Sequence, residues 1–158
     1  MQQRGPSTVV EALAAWGEHE ANGRLRGQVQ IAPNDRAGFA DLTLRYRSPM
    51  LTHLLSHYPT SAVMVELEPS DSDAIFLADG RRLADWSSSA SGDSLAHYKS
   101  LCESALAPSG PLIAAIHASG QGPLVLYDGW HRAAAWHHRC KSNRPSNISA
   151  HVILYARF

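Results

Sequence analysis

The spacing of apolar residues divides the chain into readable segments. Val9, Leu13 and Trp16 recur at helical spacing with Val10 and Ala14 beside them, which predicts a first helix. Thr8 and Glu11 stand three apart at its start, the pattern of a capping box, and Asn22-Gly23 ends it. The pattern then alternates. Gln28 to Ala32 (QVQIA) and Phe39 to Arg47 (FADLTLRYR) flank the turn Pro33-Asn34-Asp35. The second of them sets Leu42, Leu44 and Tyr46 on one side, so a β-hairpin is predicted. Pro49 to Tyr58 reads as a short helix with Pro49 near its first position, stopped by Pro59.

A second region begins near Ser61. Ala62 to Leu67 reads as a strand ended by Pro69-Ser70-Asp71, and Ala74 to Leu77 as a short strand. Trp86 to Gly92 (WSSSASG) is a polar loop, and Asp93 caps a helix from about Ser94 to Leu106. Leu112 to Ile116, Leu124 to Tyr127 and His151 to Tyr155 are apolar strands, and a helix runs from Gly129 to about Lys141. Helices and strands mix without strict alternation, so the fold class is α+β with a mixed sheet. The expected division is an N-terminal helix and hairpin over 1–60 and a second unit over 61–158.

Composition narrows the classes. A chain of 158 residues suits one domain with a small addition, and 44% hydrophobic residues supply a core. The formal net charge of zero argues against coating nucleic acid by bulk electrostatics, while leaving a local basic patch open. Nine histidines keep pH or metal sensitivity in view. Cys102 and Cys140 form no C-x-x-C pair, which favours a reducing compartment. No stretch approaches the roughly 20 apolar residues that span a bilayer, so a soluble, cytoplasmic protein is expected.

The chemistry concentrates in Leu124 to His138, LVLYDGWHRAAAWHH, where a strand becomes a helix. A helix start leaves backbone N–H groups unpaired and carries partial positive charge, which suits a phosphate. Gly129 lets backbone approach closely, and Arg132 offers a planar fork of donors. His131 adds a donor, or a charge when protonated. Asp128 can cap the helix, hold a metal or hold an arginine; Trp130 can stack on a base or pack inward. The run Ala133-Ala134-Ala135 keeps the helix thin enough to lie close to a sheet. A plain turn is the competing reading.

A strand, then Asp128-Gly129-Trp130-His131-Arg132, then an alanine-containing helix resembles the signature of the ParB/sulfiredoxin superfamily. The joint reads Gly-Gly-Cys-His-Arg in sulfiredoxins, close to Asp-Gly-His-His-Arg in the free-serine kinases and close to Gly-Glu-Arg-Arg in partition proteins. The order of the strand Val63 to Glu68, the helix Ser94 to Leu106 and Pro111-Leu112-Ile113 is also similar, so the resemblance covers roughly residues 61–158. It implies a ParB/sulfiredoxin-like fold and nucleotide phosphates bound at Gly129, His131 and Arg132, with Trp130 beside them. Trp130 stands where sulfiredoxins carry their nucleophilic cysteine, so sulfinic acid reduction is not expected. The kinases use an early glutamate, which points to Glu66 or Glu68. Two apart on a strand, these share one face and with Asp128 could hold Mg²⁺ or act as general base; an exposed strand face is the alternative.

The resemblance therefore implies a nucleotide-binding phosphoester hydrolase, an ATPase using ATP and Mg²⁺ with a DNase activity beside it. A free-standing domain of this size is closer to the Osa-like plasmid fertility-inhibition factors than to a partition protein. DNA and components of a DNA-transfer or partition apparatus are then the expected partners. A small-molecule kinase and a non-catalytic nucleotide switch are the alternatives. Tyr98 and Lys99 could reach the nucleotide, and His138 could add an accessory phosphate contact; an exposed helix face is the competing reading for the former pair. Asp79-Gly80-Arg81-Arg82 reads as a turn, and His53 and His57 as ordinary surface or core residues at metal-ligand spacing.

Overall fold

In the computed structural model, residues 1–57 and 59–156 are described, Ser48 by its backbone alone. The first strand, β1 (Gln2–Ser7), leads into α1 (Val9–Asn22). Thr8 caps α1 as its spacing requires: the Glu11 N–H donates to the Thr8 hydroxyl over 3.1 Å, and the Thr8 N–H to the Glu11 carboxylate over 2.8 Å. Two more helices follow, α2 (Arg36–Tyr46) and α3 (Ser48–Ser56). Then come β2 (Pro59–Leu67), β3 (Ile75–Leu77), a single helical turn α4 (Trp86–Ser89), α5 (Gly92–Glu103), β4 (Leu112–His117), β5 (Leu124–Asp128), α6 (Trp130–Lys141) and β6 (Ile148–Tyr155). Short 3₁₀ turns cover Pro69–Ala74 and Leu83–Asp85.

The six strands form one mixed sheet in the order β1-β2-β6-β4-β5-β3. The pairs β3/β5 and β4/β6 are parallel, and the others antiparallel. Alternation along the strands sends side chains to two cores. Val65, Leu67, Leu112, Ala114, Ala150 and Val152 meet α6 and Trp86 on one face. Ala62, Ile113, Ala115 and Ile153 meet Leu13, Trp16, Phe39 and Leu51 on the other. The alanines of α6 are buried, so this helix does lie close to the sheet, and Trp136 beyond them is fully enclosed. The architecture is thus mixed α+β, a sheet with helices on both faces. Among the described residues no helix is long and apolar enough to cross a membrane.

The hairpin predicted over 28–47 is not formed. Residues 28–32 are irregular, and 36–46 are the helix α2. Asp35 caps this helix by accepting from the Gly38 N–H at 2.8 Å. The alternation of Leu42, Leu44 and Tyr46 misled, because Leu44 is 43% and Tyr46 49% exposed. The buried positions are Phe39, Ala40, Leu42 and Thr43, which recur at three and four as a helix face does. Strand β1 went unpredicted because Gly5 and Pro6 sit inside it; Pro is tolerated at a sheet edge, where this strand lies. The loop expected at 86–92 begins instead with a helical turn whose Trp86 is 5% exposed in the core. The last residue of the helix predicted over 49–58, Tyr58, lies outside the described residues, as do the final two of the second unit.

Helices α1 and α2 cross so closely that only glycine fits at position 17. A Cβ there would stand 1.9 Å from the Phe39 carbonyl oxygen. Gly17→Ala should therefore destabilise the fold by about 3 kcal/mol or more, read by chemical denaturation, since backbone must move to admit the methyl group. Gly5→Ala, with nothing within 4 Å of its added carbon, should stay within about 0.5 kcal/mol.

Candidate anion-binding site

The joint between β5 and α6 is built by a bulge and a left-handed glycine. Ile113 pairs with Asp128 and Ala114 with Leu126, so Tyr127 is the extra residue of the ladder. Bulges of this kind turn the strand and re-aim the side chains beyond them. Gly129 follows at φ +86°, a conformation that side chains rarely adopt, and occupies the N-cap of α6. No side chain caps the helix start. Its first N–H groups and its dipole thus remain available to an anion.

This joint forms one wall of a cavity of about 430 Å³. Tyr127, Asp128, Gly129, Trp130, His131 and Arg132 line it. The opposite lining comes from the first fifty residues: His19, Glu20 and Arg24 from α1 and its end, then Arg47 and Met50 at the start of α3. His97 of α5 completes it. Sequence reasoning brought together Asp128, Gly129, Trp130, His131 and Arg132, and they are together. It missed the other half. One signal was available: Glu20 continues the stripe Leu13, Trp16, Gly17 at helical spacing, so an acid falls on an apolar face, and it is 4% exposed.

Each side chain is held by identifiable contacts. The Arg132 side chain is 15% exposed, yet both of its hydrogen bonds are long: 3.4 Å to the Asp128 carboxylate and 3.3 Å to the Ser109 carbonyl. Charge-assisted bonds are ordinarily about 2.7–2.9 Å, so its partners hold this guanidinium loosely. His131 packs edge-on against Trp86 and His97, ring centres 5.1 and 5.0 Å away. Trp130 turns inward: its ring N–H donates to the Leu126 carbonyl at 3.2 Å, and it packs on the core. Tyr127 donates to or accepts from His53 at 2.9 Å; burial pushes its phenol up to about 12, so it stays neutral.

Burial also sets the protonation of the cavity. It pushes the His19 imidazole below its ordinary 6.5, and the positive charge of Arg132 adds to this. It lowers His131 in the same way, with His97 adding repulsion. Asp128 moves up through burial, against the pull of Arg132 and His19. Arg132 is lowered by burial, with Asp128 opposing; a guanidinium remains charged regardless.

The carboxylates expected to hold a metal lie elsewhere. Glu66 is on β2, three strands from β5 in the sheet order, which is about 14 Å at the usual spacing. It forms an ion pair with Arg4 of β1. The face it was to share with Glu68 ends with the strand at Leu67. Glu68 is exposed and caps the following 3₁₀ turn, where its N–H donates to Asp71 at 2.8 Å. Neither lines the cavity. Among the described residues no three His, Cys, Asp or Glu side chains gather as a metal site. Tyr98 and Lys99 do not line the cavity either; the helix they occupy contributes His97. Tyr98 packs on Trp86 and His138, which places His138 away from the cavity as well. The Asp79-Gly80-Arg81 stretch is a turn closed by an Arg81–Asp79 ion pair at 2.6 Å, and His53 and His57 stack edge-on.

Compared with known proteins, the chain matches no family model, no curated protein and no solved structure.

Four histidines, His19, His131, His137 and His151, are all lowered, with desolvation as the largest cause in each. Their rings protonate more readily in the unfolded chain, near 6.5, than in the fold. Their contribution to stability is complete above that value and is lost as pH falls through their lower folded values. Asp128, raised, acts oppositely, and its contribution is greatest in acid and lost as pH rises. With four groups against one, the melting temperature should fall as pH is lowered from about 7.5 to about 5.5. Gly129→Ala should destabilise by about 1–2 kcal/mol or more, through the positive φ and a 2.6 Å approach to Leu112, in the same melts.

Proposed function

We propose that the cavity binds the phosphate groups of a nucleotide and that the protein is a nucleotide-dependent phosphoester hydrolase of the ParB/sulfiredoxin type. The observation that carries the reading is Arg132: a partly buried guanidinium, loosely partnered, beside an uncapped helix start. A phosphate oxygen there would accept from the Arg132 fork and from the first N–H groups of α6 at once. Met50 and Trp130 give the cavity apolar lining, and its volume lies in the range of small-ligand sites. A small phosphorylated molecule suits it, and a DNA strand is not the ligand proposed for it.

In hydrolysis, a water oxygen would attack the terminal phosphorus while the bond to the leaving phosphate breaks. The water's proton would pass to a neutral imidazole, His131 or His19, in both of which partial desolvation disfavours the charged form. Arg132 would offset the charge that develops on the phosphoryl oxygens. Glu66 and Glu68 do not fit a role at these phosphates, since they lie off the cavity. Asp128, the carboxylate beside Arg132, is the residue that could hold Mg²⁺, which would supply further charge neutralisation.

A second reading, a nucleotide switch without turnover, is favoured by one observation. Both cavity carboxylates, Asp128 and Glu20, already have an arginine partner, Arg132 and Arg47, which each would have to give up before it could orient an attacking water. Calorimetry with ATP and CTP plus Mg²⁺, with free phosphate followed in parallel, separates the two. Wild type should bind, and Arg132→Ala should bind at least about tenfold more weakly while melting as wild type does. Phosphate release that falls in His131→Ala supports hydrolysis, and binding with no release supports the switch. Undiminished affinity in folded Arg132→Ala would refute the placement of the site.

A further inference from the structure

The half of the cavity contributed by α1 and α3 has its own organisation. Glu20 is buried, and two arginines meet it. Arg47 grips it through Nε at 3.0 Å and through Nη2, and lies over the Trp16 ring at 5.8 Å. Arg24 reaches it with Nε at 3.5 Å while its side chain stays 60% exposed. Glu20 neutralises one of these two charges, so this wall keeps a net positive charge. Asp128 offsets Arg132 on the other wall, giving three arginines to two carboxylates. His19 lines the same cavity and feels Arg132, Asp128, Glu20 and Arg47 together.

An arginine fixed on a buried carboxylate and an aromatic face is already ordered before a ligand arrives, so little entropy is lost when it binds one. Arg47 meets that description. Arg132, on its looser partners, is the complementary point on the far wall. Two positive points in one cavity, each with its own anchor, match a ligand whose negative charge extends over more than one phosphoryl group.

Resting on the proposed phosphate site, we infer that Arg47 and Arg24, gathered on Glu20, form a second anion subsite, so that the cavity selects linked phosphoryl groups over a single phosphate. The ligand class is a phosphoanhydride, free or as the diphosphate of a nucleotide. The first fifty residues then belong to the recognition of the ligand as much as the Asp-Gly-Trp-His-Arg joint does.

The test uses the full chain and three probes: inorganic phosphate, pyrophosphate and ADP, titrated by calorimetry. Arg47→Ala would leave Glu20 buried and under-paired and endanger the fold, so Arg24→Gln and Arg47→Lys are the variants, each checked by melting. Wild type should bind pyrophosphate at least about tenfold more tightly than phosphate. Arg24→Gln should cut that advantage to about threefold or less, and ADP should lose affinity in parallel. Arg47→Lys, which keeps the charge and loses the fork, should also reduce the advantage. Arg132→Ala should weaken all three probes. If pyrophosphate binds no more tightly than phosphate, or its advantage survives in both variants, the second subsite is refuted while the phosphate site stands. If no probe binds wild type, both fall.

Discussion

A carboxylate as deeply buried as Glu20 is tolerable only where cations meet it, because an unpaired charge away from water is far more unfavourable than any packing around it can offset. That requirement fixes more than one side chain. Arg47, the main partner, sits at the junction where α2 ends and α3 begins. The ion pair therefore ties the last turns of α1 to that junction, and α3 leaves it to cover the sheet with Leu51 and Leu54. Thr43, one turn earlier, donates to the Leu13 carbonyl at 2.7 Å and holds the same two helices together from within. The helical layer over this face is positioned by polar contacts at its ends and by close packing at Gly17 between them.

The cavity exists because two layers built on opposite faces of one sheet converge at the end of β5. The bulge at Tyr127 and the left-handed Gly129 carry the chain from the strand into α6, with Asp128 and Arg132 at the joint. On the far face α1 brings Glu20 and His19 to the same place. Neither wall is local in sequence to the other. The low polarity of the cavity wall does the rest: it disfavours protonation of His131 and holds Arg132 where its charge is poorly screened.

How much of this could be read beforehand follows from the physics of each signal. The capping box at Thr8 and Glu11 was legible because both its hydrogen bonds form within four residues. The motif helix was legible because Gly129, Arg132 and three alanines act through local geometry. Residues 36–46 were not, since apolar positions two apart mimicked a strand while burial was decided by α1, packed from elsewhere. Glu66 and Glu68 had the right spacing to share a face, but the site's location depended on sheet order, which put two strands between β2 and β5. His97 and Arg47 had no local mark at all; only the tertiary arrangement makes them neighbours of Arg132.

The outer strands bear on how copies of this molecule meet. A sheet edge with free N–H and C=O groups is a template for adding foreign strands. At one margin, β1 carries Pro6, which has no N–H to offer, and a bulge at Arg4 that interrupts its flatness. At the other, β3 is three residues long, and its outer side is taken by the chain that follows. Leu77 donates to the Arg81 carbonyl at 2.8 Å, and Phe76 bridges to Arg82. Both margins are thus poor seeds for edge-to-edge aggregation, so the sheet closes its own ends with an arginine turn and a proline strand.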